Sequence, residues 1–154
     1  GRILEPYEVA YETYGELNDD KSNVILICHA LSGSHHAAGT YEGEQKAGWW
    51  DGLIGDGKAI DTSKYFVIST NVVGSCFGST GPMSPNYPSE DPYRLRFPVV
   101  TIKDMTRAQM SLLSSLGIYH LRAIVGGSMG GMQALQFAVD YPNLADDIIS
   151  LAAT

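Results

Sequence analysis

A glycine-rich turn centred on a serine is the feature of this sequence best suited to covalent chemistry. Residues 126–131 read Gly-Gly-Ser-Met-Gly-Gly and contain the pattern Gly-x-Ser-x-Gly, with Ser128 at its centre. An apolar run leads into the turn and a segment of helical periodicity leads out of it. In that setting a serine is held in a strained conformation, and Gly126 and Gly130 avoid collisions on either side of it. The pattern predicts a nucleophilic Ser128; the alternative is a serine that only caps the helix.

A second motif supplies groups that complement such a nucleophile. The apolar run Val24–Cys28 is followed by His-Ala-Leu-Ser-Gly at 29–33. Acyl chemistry on serine develops an oxyanion, which backbone N–H groups stabilise. We expect the N–H groups of Met129, at a helix N-terminus, and of Leu31 to form this oxyanion hole. His29 itself is interpreted as a structural residue that satisfies backbone groups in the loop.

The remaining histidines and the cysteines give weaker signals. His35 and His36 suggest a metal site with His29 as third ligand, but adjacent residues on an extended chain point to opposite sides. No cysteine or carboxylate at metal-ligand spacing supports such a site, so no metal is expected. Cys28 and Cys76 are interpreted as core or loop thiols, because neither lies in a recognisable motif with a general base.

Composition and charge exclude several classes of function. The 154 residues include ten Lys and Arg against 17 Asp and Glu, a net charge of −7. Without clustered cations a nucleic-acid surface is not expected. The longest aliphatic run, Val24–Cys28, is far below the ~20 residues of a membrane span. A P-loop is excluded because Gly57-Lys58 is followed by Ala59, and a dinucleotide fingerprint needs glycine at 128. With no leader and only two cysteines, a cytoplasmic location is expected.

The pattern of apolar residues predicts an α/β architecture. Strands are predicted at 9–14, 24–28, 65–70, 121–125 and 147–152, and helices at 49–54, 101–117 and 129–140. Thr101 and Asp104 resemble an N-terminal capping pair, and Gly117 occupies a helix C-terminal position. The alternation of strand and helix in the second half implies a mostly parallel sheet with right-handed crossovers and flanking helices.

A long segment, 73–98, shows neither the two-residue period of a strand nor the 3.6-residue period of a helix. It holds five of the seven prolines. Loops of this length are uncommon inside a domain unless they are functional or disordered. Its aromatic residues predict an ordered loop packed on the body, and we hypothesise that it walls the site; they are Phe77, Tyr87, Tyr93 and Phe97.

Four motifs together resemble the homoserine O-acetyltransferase family. They are the turn 126–131, the loop 29–35 (His-Ala-Leu-Ser-Gly-Ser-His), the stretch 71–82 ending in Gly-Ser-Thr-Gly-Pro, and the segment 97–105 (Phe-Pro-Val-Val-Thr-Ile-Lys-Asp-Met). The resemblance covers essentially the whole chain in the family's order. It implies the α/β-hydrolase fold and a role in methionine biosynthesis.

The resemblance also implies a ping-pong acyl transfer. Ser128 would take an acetyl group from the co-substrate acetyl-CoA and pass it to the hydroxyl of L-homoserine, with no bound cofactor and in a homodimer. Alternatives within the family are a succinyl donor or a serine acceptor. A plain esterase on the same fold is a further alternative.

The sequence departs from the family in the region after the nucleophile. In α/β-hydrolases the triad order is serine, acid, histidine. All four histidines precede Ser128, and Asp140, Asp146 and Asp147 fall before the family's acid position. We therefore expect residues 1–154 to form the N-terminal part of one catalytic domain. Its later strands, triad Asp and His, and helical lid would come after Thr154, so the isolated chain is predicted to be inactive.

Overall fold

The computed structural model describes residues 3–153, which contain seven strands, two α-helices and a short 3-10 helix at Arg94–Arg96. The strands are β1 (Tyr11–Tyr14), β2 (Val24–Cys28), β3 (Ile54–Gly55), β4 (Ile60–Asp61), β5 (Phe66–Thr70), β6 (Leu121–Gly127) and β7 (Ala145–Leu151). The helices are α1 (Ile102–Ser115) and α2 (Met129–Asp140). Within these residues, neither helix is long and apolar enough to cross a membrane.

Five of the strands form the main sheet, in the order β1-β5-β2-β6-β7. Only the outer strand β1 is antiparallel to its neighbour. The chain passes from β2 to β5 on one side and then crosses to β6 on the other. In open α/β sheets, ligands bind beside the carboxyl ends of the strands where the strand order reverses in this way. The register aligns Cys28 with Gly126, so the segments after β2 and β6 meet at that position.

The core lies on both faces of the sheet. All five residues of β2 are buried, and they alternate between two apolar clusters. On one face, Leu26 packs with Leu113 of α1 and Phe137 of α2. On the other, Ile27 packs with Ala37 and with residues near β3. A strand covered on both faces requires the continuous apolar run seen in the sequence.

The first helix begins and ends as the sequence predicts. The Asp104 N–H donates to Thr101 Oγ1 at 3.2 Å, and the Thr101 N–H donates to Asp104 Oδ2 at 2.9 Å. This is a complete capping box with aspartate in place of the usual glutamate. Gly117 follows the helix with φ +68°, a conformation that favours glycine.

The helix predicted at 49–54 is wrong. This segment forms consecutive turns, in which the Trp50 carbonyl accepts from the N–H groups of Leu53 and Ile54 at 2.8 and 3.0 Å, and then enters β3. Gly52 interrupts the segment, and Gly55 follows it with φ +154°, so the uninterrupted run between glycines is too short for a helix. The two-residue strands β3 and β4 form a small parallel sheet that the sequence pattern does not indicate.

The other predicted elements are present with shifted ends. The strands predicted at 9–14 and 65–70 are shorter, the one at 121–125 extends to 127, and the one at 147–152 lies at Ala145–Leu151. The helix predicted at 129–140 has those bounds. The α/β fold class is confirmed.

The long loop 73–98 is tied to the chain that precedes β1. The Thr80 N–H donates to the Glu8 carbonyl at 3.0 Å, and the Ala10 N–H donates to Ser79 Oγ at 2.9 Å. Tyr93 is buried and meets Phe97 edge-to-face, with ring centroids 5.3 Å apart. These contacts confirm an ordered loop. Of the four aromatic residues named above, Phe77 and Tyr87 are exposed, so Tyr93 and Phe97 contribute this packing.

Candidate functional site

Ser128 lies between β6 and α2 in a strained backbone conformation. Its φ is 55° and its ψ is −122°, in a region that L-residues rarely adopt. The surroundings hold it there, since its N–H donates to the Leu151 carbonyl at 2.8 Å and its carbonyl accepts from the Met132 N–H at 3.0 Å. Strain of this kind, of order 1–3 kcal/mol, persists where the structure around it fixes the residue.

The glycines beside Ser128 are required by close backbone approaches. A Cβ on Gly126 would lie 2.1 Å from the Gly130 carbonyl oxygen, and a Cβ on Gly130 would lie 2.0 Å from the Cys28 carbonyl oxygen. Atoms cannot approach so closely. The prediction that Gly126 and Gly130 avoid collisions at the turn therefore has a direct steric reason, and these glycines allow α2 to lie against the end of β2.

The Ser128 side chain is exposed and makes no capping hydrogen bond to α2. The interpretation of Ser128 as a simple helix cap is therefore wrong. A hydroxyl that is presented at a strained turn and makes no capping bond is available for chemistry. The nucleophilic role itself remains a prediction.

The two predicted oxyanion donors border the same end of the sheet. Met129 is the first residue of α2, and Leu31 lies in the loop after β2 with its side chain 82% exposed. Within residues 3–153, neither backbone N–H has a hydrogen-bond partner. The Met129 N–H also lies at the positive end of the helix dipole. Both groups are free to stabilise an oxyanion, and this role also remains a prediction.

His29 is a structural residue, as predicted. The imidazole is buried, its Nδ1–H donates to the Ala30 carbonyl at 2.6 Å, and its Nε2 accepts from the Val72 N–H at 3.1 Å. These bonds fix one neutral tautomer, and burial lowers the pKa of His29. Both ring nitrogens are occupied, so His29 cannot accept a proton from Ser128.

His35 and His36 converge on one carboxylate, so the expectation that their rings point apart is wrong. Glu12 Oε1 lies 3.7 Å from His35 Nε2, and Glu12 Oε2 lies 3.1 Å from His36 Nδ1. The chain bends here, because the Ala37 N–H donates back to the His35 carbonyl at 2.9 Å. Burial alone would raise the pKa of Glu12, but hydrogen bonds from Tyr14, Tyr41 and His36 outweigh it and lower that pKa.

Both cysteines are free thiols, one in the core and one in a loop, as interpreted from the sequence. Cys28 is buried in β2, where desolvation raises its thiol pKa to about 12, and Cys76 is exposed on the long loop. Across residues 3–153, no group of three or more His, Cys, Asp or Glu side chains is arranged to hold a metal ion.

The remaining histidine, His120, pairs with an acid, but it lies at the end of β6 opposite to Ser128. His120 Nε2 lies 3.0 Å from Asp146 Oδ1, before β6 begins. Ser128 follows the other end of β6, eight residues on, which is roughly 25 Å along an extended chain. Asp140 and Asp147 pair with Lys103 and Arg122. In the described part of the chain, none of the four histidines is hydrogen-bonded to Ser128, and His35 and His36 lie against Glu12.

A cavity of about 760 Å³ lies beside the loop that carries Leu31. It is lined by Leu31, Ser32 and residues from 74–84 of the long loop, including Cys76, Phe77 and Met83. The long loop thus contributes a wall next to Leu31, one predicted oxyanion donor, while Ser128 and Met129 are not among the lining residues; that the loop walls the site stays a hypothesis. Its exposed apolar side chains, Phe77 and Met83, border space that a ligand can enter.

A mostly parallel sheet that presents a strained serine at a strand-to-helix turn defines an α/β-hydrolase. The alpha/beta hydrolase fold family matches residues 23–154, and the chain belongs to this family. One relative, the homoserine O-acetyltransferase of Nautilia profundicola, is 75% identical over all of this chain. The chain spans 42% of that relative's length.

Solved structures agree on the fold. A homoserine O-acetyltransferase from Bacillus anthracis is 47% identical with a TM-score of 0.85, covering 90% of this chain and 39% of its own. Esterase E22 is also 47% identical, with a TM-score of 0.90, covering 96% of this chain and 42% of its own. The fold is therefore common to a transferase and an esterase, and the choice between these activities depends on the site.

Proposed function

We propose that this chain supplies the nucleophile and oxyanion hole of an acyltransferase that moves an acetyl group from acetyl-CoA to L-homoserine. The observation that carries the proposal is the match of the whole chain, at 75% identity, to a relative named homoserine O-acetyltransferase. The strained, uncapped Ser128 supports it, because acyl transfer through a covalent intermediate needs an exposed nucleophile. Methionine biosynthesis is the pathway we propose for it.

In the first half-reaction, Ser128 Oγ attacks the thioester carbonyl of acetyl-CoA. The carbonyl oxygen becomes an oxyanion, which the Leu31 and Met129 N–H groups stabilise. When the tetrahedral intermediate collapses, the C–S bond breaks, CoA leaves as the thiol, and acetyl-Ser128 remains. In the second half-reaction, the homoserine hydroxyl attacks the acetyl ester, and the Ser128 hydroxyl is regenerated. Loss of one oxyanion donor typically lowers such rates by about 10²–10³-fold.

The base and its orienting acid are proposed to lie after this chain in the longer protein. In α/β-hydrolases both come after the serine in the sequence. His29 is neutral and hydrogen-bonded through both ring nitrogens, and His120 lies at the end of β6 opposite to Ser128. The proposal therefore assigns to this chain the nucleophile, the oxyanion donors and one wall of the cavity, and assigns the base and its acid to the rest of the protein.

An esterase is the second candidate, favoured by the 47% identity and TM-score of 0.90 to esterase E22. Transfer requires the acetyl-enzyme to resist water until the acceptor arrives. Assay of the full-length protein with acetyl-CoA, with and without L-homoserine, separates the two. CoA release that depends on homoserine supports transfer, whereas equal release without it supports an esterase.

Substrate choice within the family is tested by exchanging each substrate in the same assay. Succinyl-CoA in place of acetyl-CoA, and L-serine in place of homoserine, test the alternative donor and acceptor. The Ser128→Ala variant is the control in each assay, since it is expected to retain the fold and to lack the proposed nucleophile. We also propose a cytoplasmic homodimer: both cysteines are free thiols, as is usual in a reducing compartment, and light scattering of the full-length protein tests the dimer.

A further inference from the structure

A buried glutamine links the two segments that carry the proposed oxyanion donors. Gln133 lies one turn after Met129 on α2 and is completely buried. Its Nε2 group donates to the His29 carbonyl at 3.2 Å and to the Met129 carbonyl at 3.3 Å. One side-chain amide thus bonds to the loop after β2, two residues before Leu31, and to the first residue of α2.

A second buried glutamine fixes the orientation of this amide. Gln109 of α1 donates through Nε2 to Gln133 Oε1 at 2.8 Å and to Thr70 Oγ1 at 3.0 Å. Because Gln133 Oε1 accepts from Gln109, the Gln133 NH₂ group is turned toward His29 and Met129. Helix α1 and the end of β5 therefore hold Gln133 in the rotamer that makes both contacts.

The peptide that Gln133 contacts is itself constrained on the far side. The His29 ring bonds to the Ala30 carbonyl and to the Val72 N–H. The Ala30 carbonyl also accepts from the Gly33 N–H at 2.9 Å. The chain from 29 to 33 is thus a hydrogen-bonded turn, and displacement of the His29 carbonyl would move the Leu31 N–H with it.

We propose that Gln133 is a positioning residue that sets the separation of the Leu31 and Met129 N–H groups and so shapes the oxyanion hole. This inference rests on the proposed acyl-transfer function. An error of about 1 Å in the placement of reacting groups can lower a rate about 10²-fold. A side chain needed only to fill the core would be apolar, like its neighbours Ala134 and Phe137 on α2, because a buried amide is costly unless its bonds are made.

The test compares Gln133→Met with Gln136→Met in the full-length protein. Both substitutions replace glutamine by an unbranched apolar residue on the same helix. Gln136 donates to Asp140 and does not contact the loop after β2. Each variant is mixed with p-nitrophenyl acetate, and acetyl-Ser128 formation is followed by p-nitrophenolate release and intact mass. The rate constant reports oxyanion stabilisation, and the end-point reports the fraction of competent sites.

We expect Gln133→Met to lower the acylation rate constant about 10²-fold with an unchanged end-point, and Gln136→Met to change neither. Equal rate constants in the two variants would overturn the inference. A lower end-point with a normal rate constant would also overturn it, since that result describes a purely structural residue. If Ser128→Ala acylated as fast as the wild type, the proposed function would fall first, and this inference with it.

Gln133→Glu provides a second test that does not depend on the methionine variant folding. The carboxyl keeps the shape of the side chain but offers an O–H to the His29 carbonyl only when protonated, and burial favours that form. The acylation rate constant of Gln133→Glu relative to wild type should therefore fall as the pH rises. Gln136→Glu adds the same charge to α2 and should show a ratio independent of pH. A flat ratio for Gln133→Glu would count against the inference.

Discussion

Replacing Gly130 by alanine is expected to force apart the two segments that form the proposed oxyanion hole. The new Cβ would lie 2.0 Å from the Cys28 carbonyl oxygen and 2.7 Å from its carbon, whereas Cβ contacts below 3.0 Å essentially do not occur. Both sides of this contact are backbone, so neither can rotate away. Helix α2 and the end of β2 must therefore separate by about 1 Å.

The structure sets the size of the effect. Forcing extra volume into a well-packed site costs about 1–3 kcal/mol, and the backbone contact places Gly130→Ala at the upper end. Alanine is a better helix former than glycine by about 1 kcal/mol, which offsets part of this cost. The net loss of unfolding free energy should be about 2 kcal/mol. A displacement of about 1 Å between Leu31 and Met129 should also lower the acylation rate about 10²-fold.

Urea unfolding of the full-length protein, together with the rate of acetyl-Ser128 formation, measures both effects. Gly127→Ala is the matched control for stability, because its Cβ would meet no atom nearer than 3.9 Å. Its unfolding free energy should stay within about 0.5 kcal/mol of the wild type. If Gly130→Ala were as stable as Gly127→Ala and acylated at the wild-type rate, the steric account of the turn would be refuted.

Further predictions concern the nucleophile, the isolated chain, a helix cap and the half-buried Glu12. Ser128→Ala should give no acetyl-enzyme by intact mass after incubation with acetyl-CoA; labelling of this variant by a serine-directed acylating reagent would contradict the assignment. The isolated 154-residue chain should show no turnover of acetyl-CoA and homoserine, and measurable turnover would refute that prediction. Thr101→Ala should lower the free energy of unfolding by about 1 kcal/mol, whereas Ser111→Ala, exposed on the same helix, should have little effect; equal losses would contradict the capping role. Because the folded-state pKa of Glu12 lies below its ordinary 4.5, its ionised form stabilises the fold above that pH, and this contribution is lost as the pH falls. The stability difference between wild type and Glu12→Gln should therefore shrink as the pH is lowered, and a constant difference would contradict it.

Local sequence determined the class of the fold and the identity of its central serine. The continuous apolar run Val24–Cys28 specifies a strand buried on both faces, because no polar residue interrupts either face. The glycines at 126 and 130 are required by contacts made within one strand-to-helix turn and with the strand beside it. The same holds for the capping box of α1, whose partners are three residues apart. Such features can be predicted because each leaves a signal in a short stretch of the sequence, even where, as for Gly130, the contact that requires it is made with a distant segment.

Tertiary structure decided the features that join distant segments. The convergence of His35 and His36 on Glu12 joins the loop after β2 to β1, more than twenty residues earlier, and the spacing of the histidines gives no sign of it. The buried amide of Gln133 bonds to a carbonyl 104 positions away, and no local pattern distinguishes it from the half-exposed Gln136 on the same helix. Hydrogen-bond partners of this kind exist only once the sheet has aligned β2 with β6. The sequence alone therefore predicts which serine is the nucleophile, whereas only the folded chain shows which buried groups lie around the segments beside it.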